Sequence, residues 1–254
     1  MTGELVHVTH QQAVRTLTLD SPHNRNALSS RLLDQLADEL SAASTDPDVR
    51  VIVLTATGSV FCSGADLSER TAAVTSRLPE ILTTMTRCAA PVICRVNGHA
   101  RAGGLGLITA SDFAVAPAAS TFGFSEVRVG VAPAIILVPA LRVGGRRFLA
   151  RMALTGDPFS AAEAAEAGLL SDVVDDASEL DGWVERVTSS VLKSAPRAVA
   201  ATKVLLGELS DVNWSDGLAA AQERSAELFA GDEAGEGMDA FLNKRLPSWD
   251  TTAP

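Results

Sequence analysis

At 254 residues, 46% of them hydrophobic, the chain can fill a sizeable core and form one large domain, alone or with a smaller appendage. Acidic residues outnumber basic ones 31 to 21, and the net charge of −10 repels nucleic acid and anionic lipid over most of the surface. No apolar run reaches the roughly 18–20 residues that span a bilayer, and MTGELVHVTH lacks the basic-then-apolar pattern of a signal peptide, so no membrane partner and a cytoplasmic location are expected.

HVTH (7–10) reads as an alternating segment that sends His7 and His10 to opposite faces, a poor metal pair. In AVRTLTLD (13–20), Val14, Thr16 and Thr18 alternate with Arg15, Leu17 and Leu19, as in a strand, and Ser29 then caps the helical pattern SSRLLDQLADELSAAS. VRVIVLTA (49–56), APVICRVNG (90–98) and DFAVA (112–116) are β-branched or apolar enough for buried strands. Strands separated by helical stretches predict an α/β architecture. From about Ser160 the chain turns alanine-rich and helical, and its tail predicts two helices joined by a glycine turn near Gly235. We expect a core over 1–195 and a helical region over 196–254. Cys62, Cys88 and Cys94 are odd in number and form no C-x-x-C pair, which predicts reduced thiols and no zinc site.

NGHARAGGLGLITASDF (97–113) carries Gly103, Gly104 and Gly106 at the start of a short apolar helix. The G-x-G-x-x-G fingerprint fails because Thr109 stands where its third glycine belongs, and no Gly-Lys-Ser/Thr completes a phosphate loop. What remains is strand, glycine turn and helix, whose first N–H groups lack intrahelical acceptors and suit an oxyanion. Tight backbone packing explains the glycines equally well. A second strand-to-helix turn, Ser63-Gly64-Ala65 in GSVFCSGADLSE (58–69), supplies the means for two converging donors. Cys62 and Ser63 lack both a G-x-S-x-G elbow and a His/Asp set, against a thioesterase nucleophile.

FCSGADL, VNGHARAGGLGL, TFGFSEVRVGVAP, LTGDPFSAAEAAEAGLLSDVV and EGMDAFLNKRLP, in this order over roughly residues 5–247, resemble the successive signatures of the crotonase (enoyl-CoA hydratase/isomerase) superfamily. The resemblance implies a crotonase-type spiral of ββα units with a C-terminal helical trimerisation region, a homotrimer or dimer of trimers, and an acyl-CoA thioester as substrate partner. Coenzyme A enters as part of that substrate, with no permanently bound cofactor. By position the two oxyanion-hole N–H groups fall on Ala65 and Gly103, where donors aimed at a developing enolate oxygen are typically worth about 3–4 kcal/mol each. Arg25 falls on the segment lining the coenzyme A entrance, Ser63 where its backbone carbonyl is offered to the adenine, Asp66 and Leu67 among the coenzyme A-binding residues, and Phe241 and Lys244 on the tail that reaches the adenine side, often from a neighbouring subunit.

The acid/base residues depart from the familiar hydratase pattern. The first glutamate position is Gly106, and the second is Glu126, flanked by Phe122, Phe124, Val127 and Val129, which predicts a carboxyl with a raised pKa. GGLGL with SEVRVGVAPAII is similar to the 3-methylglutaconyl-CoA hydratase-like branch, implying water addition to a 2-enoyl-CoA, possibly branched, with Gly106 enlarging the pocket. A single glutamate equally suits an enoyl-CoA isomerase, and a non-catalytic acyl-CoA-binding protein is the third reading. His99, near the loop, is a candidate to assist water or simply a packed or solvent-facing residue.

Overall fold

Six strands pair into one sheet in the computed structural model, which describes residues 3–69 and 77–250. In chain order its first half comprises β1 (Val6–Gln11), β2 (Val14–Leu19), α1 (Ser30–Thr45), β3 (Val51–Ala56), β4 (Val60–Cys62), α2 (Leu78–Arg87), β5 (Val92–Arg95), β6 (His99–Arg101) and α3 (Gly103–Thr109). Then come β7 (Phe113–Pro117), β8 (Thr121–Gly123), α4 (Ala134–Val143), α5 (Arg146–Thr155), β9 (Phe159–Ser160), α6 (Ala161–Glu166), β10 (Asp172–Val174), α7 (Leu180–Leu192), α8 (Pro196–Glu208), α9 (Trp214–Phe229) and α10 (Asp232–Leu242).

The large sheet runs β1-β2-β3-β5-β7-β10, antiparallel only at β1/β2. Its inner strands β3, β5 and β7 are apolar on both faces because each face meets a different core. Ile52, Leu54, Val92, Cys94, Ala114 and Ala116 enter the main core with α1, while the intervening Val51, Val53, Ile93 and Val115 meet Leu180, Trp183 and Leu192 of α7. The expected cap holds: Ser29 Oγ accepts from Leu32 N–H at 3.3 Å, and α1 buries Leu32, Leu33, Leu36 and Leu40 on one stripe.

A second sheet, β4-β6-β8-β9, is built from strands of only two or three residues. Each of β3, β5 and β7 hands the chain to its short successor, β4, β6 or β8, so the large sheet fixes where the small one stands. This is the ββα spiral. The three cysteines are free and buried.

The tail differs from expectation in one joint. The break between α9 and α10 falls at Gly231, the N-cap of α10, and Gly235 lies inside that helix. Asp232 and Glu233 in the first turn favour a helix start there, and Gly237 lets the helix approach Trp249, whose Cη2 would stand 3.1 Å from a Cβ at that position. The expected 195/196 boundary falls at Ala195, the N-cap of α8. Among the described residues, no helix is long and apolar enough to cross a membrane.

Candidate active site

β4, β6 and β8 are parallel neighbours, so their C-terminal ends share one edge of the small sheet. After β4 comes the turn holding Ala65, after β6 the turn holding Gly103, and after β8 a 3-10 turn, Ser125–Val129, holding Glu126. Three strand ends thus deliver to one edge the three residues expected to carry chemistry. Ala102 N–H donates to Gly123 O at 3.0 Å, tying the second end to the third. A Cβ on Gly64 would stand 3.6 Å from Gly103 N, which measures how closely the first end approaches the second.

Each candidate donor follows a residue in the left-handed region, Gly64 at φ +93 before Ala65 and Ala102 at φ +47 before Gly103. Gly103 is the first residue of α3, so its N–H has no intrahelical acceptor. Ala65 bridges Leu28 through its neighbours: Leu28 N–H donates to Gly64 O at 2.8 Å and Asp66 N–H to Leu28 O at 3.3 Å. That pattern turns Ala65's own N–H away from Leu28. Among the described residues, neither N–H has a protein acceptor.

The glycines also answer to packing. A Cβ on Gly103 would stand 2.6 Å from Leu28 Cδ1, and one on Gly104 would stand 2.8 Å from Cys62 Cβ. Close approach and freed N–H groups are therefore one arrangement, since the contacts that exclude side chains are those that hold the two turns together.

Glu126 is half-buried, and its Oε2 is buried without a hydrogen-bond partner among the described residues. Desolvation pushes its carboxyl above the ordinary glutamate range, partly offset by a hydrogen bond from its own N–H. The surroundings differ from expectation. Phe122 and Phe124 point into the core against Phe159, at ring separations of 5.9 and 6.1 Å, and Val129 faces solvent. Glu126 therefore sits at the boundary between the buried end of β8 and the exposed end of its own turn.

Gly106 does not open the pocket. A Cβ there would stand 2.7 Å from Ile136 Cγ2, so the space a side chain at 106 would take is filled by α4. His99 is exposed, and its Nδ1 lies 3.0 Å from both Thr121 N and Thr121 Oγ1, engaged on the sheet away from the turns.

Four of the six residues expected to bind coenzyme A come together. Ser63 N–H donates to Arg25 O at 3.1 Å, and Asn24 Nδ2 lies 3.4 Å from Asp66 Oδ2. The Ser68 hydroxyl and N–H hold the Asp66 carboxyl below its usual range. Leu67 is 68% exposed beside it, and Arg25 is exposed in the left-handed conformation at φ +59. Phe241 and Lys244 are placed elsewhere, at the end of α10, with Phe241 81% exposed. The described contacts do not join them to the entrance.

Several residues that build the site were not singled out from sequence. Asn26, fully buried at φ +53, donates from Nδ2 to Thr57 O at 3.0 Å and Val60 O at 2.8 Å, and accepts from Ser21 N–H at 2.7 Å through Oδ1. It clamps the Arg25 segment to the base of β4, and the Asn-rich HNRNA, with asparagine's tolerance of left-handed backbone, was the available signal. Leu28 and Ile136 are ordinary apolar residues in sequence, and nothing there marks their contacts with Gly103 and Gly106.

The enoyl-CoA hydratase/isomerase family profile matches residues 9–252. The chain is 34% identical over 253 residues to 2,3-dehydroadipyl-CoA hydratase of Escherichia coli K12, covering 97% of this chain and 98% of that one. It is 31% identical to mevalonyl-coenzyme A hydratase of Aspergillus fumigatus, covering 92% and 90% of the two chains. Its fold superposes on the crystal structure of human enoyl coenzyme A hydratase domain-containing protein 3 with a TM-score of 0.92 at 30% identity, covering 97% and 100%.

Proposed function

We propose that this chain, which belongs to the enoyl-CoA hydratase/isomerase family, adds water across the Cα–Cβ double bond of a 2-enoyl-CoA. The observation that carries the reading is the common edge on which β4, β6 and β8 present two unpaired N–H groups and one desolvated carboxyl. The thioester oxygen sits between Ala65 N–H and Gly103 N–H. Negative charge moves onto that oxygen when Cβ is attacked, and donors already in place stabilise it without reorganising.

Glu126 serves both halves of the addition. As carboxylate it takes a proton from water while the water oxygen bonds to Cβ and the π electrons shift to the thioester oxygen. As carboxylic acid it then returns that proton to Cα, and the carboxylate is restored. One group suffices because the proton removed in the first half is the proton delivered in the second, and a raised pKa suits an acid that must also act as base. With Ile136 over Gly106, this reading assigns no second carboxylate to the site.

Arg25, Ser63, Asp66 and Leu67 line the approach of the coenzyme A arm, with Phe241 and Lys244 supplied to the adenine by a neighbouring copy in a homotrimer or dimer of trimers. The family profile, which spans hydratases and isomerases, keeps one alternative in view. The same Glu126 moving a proton from Cγ to Cα would migrate the double bond.

Incubation with straight and Cβ-branched 2-enoyl-CoA and 3-enoyl-CoA esters, with products read by mass, tests the proposal. Water addition raises the product mass by one water. Double-bond migration leaves the mass unchanged and moves the chromatographic peak, and return of unchanged ester throughout would leave a binding protein.

A further inference from the structure

Ala102 has φ +47 and ψ −121, torsions that glycine adopts freely and an L side chain rarely does. Its main chain is held at both ends: the N–H donates to Gly123 O at 3.0 Å, and the carbonyl accepts from Leu105 N–H at 2.8 Å. Any residue could make these bonds. What alanine adds over glycine is a methyl, and that methyl lies against Gly64, where an added Cβ would stand 2.6 Å from Ala102 Cβ.

This contact falls where the sheet no longer holds the two turns. The β4/β6 ladder ends at Cys62↔Ala100, with an irregular register between Val60 and Cys62. Beyond it, Leu28 reaches both turns, by its N–H to Gly64 O and by its Cδ1 towards Gly103, and the Ala102 methyl of the second turn faces Gly64 of the first. We infer that Ala102 is a positioning residue whose methyl, seated in the notch at Gly64, sets the spacing between the Ala65 and Gly103 N–H groups. The inference rests on the reading of those groups as the thioester's oxyanion hole. A strained conformation persists where its surroundings over-determine it, and here the strain falls on the residue that precedes a donor.

The substitution Ala102→Gly removes the methyl and the strain together, so stability and turnover should part company. The variant is expected to melt no lower than wild type while kcat for the preferred enoyl-CoA falls about tenfold to a hundredfold with KM little changed, as misplaced groups commonly produce. Ala102→Ser keeps a Cβ and should keep kcat close to wild type. A second readout needs no turnover: the carbonyl stretch of isotopically labelled butyryl-CoA, a saturated ester, should shift to lower frequency when bound to wild type and less when bound to Ala102→Gly. Equal shifts and equal kcat in the two proteins would overturn the inference. An unshifted carbonyl in wild type would overturn the oxyanion-hole reading and the inference with it.

Discussion

Lys203 Nζ lies 2.7 Å from Asp112 Oδ2, joining the C-terminal helical region to the spiral through an ion pair whose lysine is buried and whose aspartate is exposed. The ammonium also donates to Met85 O at 2.7 Å and Ala90 O at 3.0 Å, carbonyls at and just beyond the end of α2, while Asp112 Oδ2 accepts from Val92 N–H at 2.7 Å. Each charge is thus paired and hydrogen-bonded. Lys203→Met leaves the carbonyls of Met85 and Ala90 without their buried donor and is expected to cost roughly 1–3 kcal/mol in urea unfolding. Lys203→Met with Asp112→Asn should recover part of that loss, and additive losses would show that the two groups are not coupled.

Glu126→Gln keeps the shape of the side chain and removes its proton chemistry. Turnover should fall by at least about 10²-fold, while binding of a saturated acyl-CoA by calorimetry changes little. Near-normal turnover would take Glu126 out of the reaction.

The pH dependence has a defined sign. Glu126 keeps its proton to a higher pH when folded than when unfolded, so the folded state binds more protons across the interval from the ordinary glutamate value up to the raised one, and stability falls as pH rises through it. Glu126→Gln should therefore unfold at higher urea than wild type above that interval and match it below. The acid limb of kcat/KM should likewise lie above the ordinary glutamate range, since the base form appears only past the raised pKa. A limb at the ordinary value would contradict the desolvation.

At Gly106 the expectation follows from Ile136. Gly106→Glu drives a side chain into α4 and should destabilise by about 1–3 kcal/mol, lowering the melting temperature by about 2–4 °C for each kcal/mol. Straight and branched substrates should slow alike, because the displaced atoms belong to the protein. Adding Ile136→Ala should restore stability relative to the sum of the single variants in a double-mutant cycle, and strict additivity would show that the two positions do not meet.

α9 buries none of its described residues in the isolated chain, and Trp214 is 81% and Phe229 70% exposed. Such a surface is expected to be covered in a trimer or a dimer of trimers. Light scattering should report either assembly, and truncation after Ser194 should abolish it or cost solubility. A well-behaved full-length monomer would remove this expectation.

What the sequence could show depended on length and period. β2, β3 and α1 each run six residues or more, enough for alternation, a β-branched run or a helical stripe to be read. β4, β6 and β8 have three residues each and carry no period at all, yet they place the site. Glu126 was legible from its motif, whereas its setting was not, because Phe124 two residues earlier turns inward. The torsions of Ala102 are invisible in an alanine codon, and Gly106 could be read as space only until Ile136, thirty residues on, was seen to occupy it.

The small sheet also has a consequence in time. Ala65, Gly103 and Glu126 come from three successive units, and β8 is paired on its outer side by β9 at Phe159–Ser160, almost a hundred residues after Ala65. The pairings that assemble this edge, Val60↔His99 and Thr121↔Ser160 among them, are all long-range, so loop closure must come before each contributes. A nascent chain that has completed β3 and even β5 has a sheet but no acid/base, and one ending before β9 has an open edge beside Glu126. Competence to bind a thioester is therefore expected only once all three units have paired, and in refolding it should not return ahead of the far-ultraviolet signal.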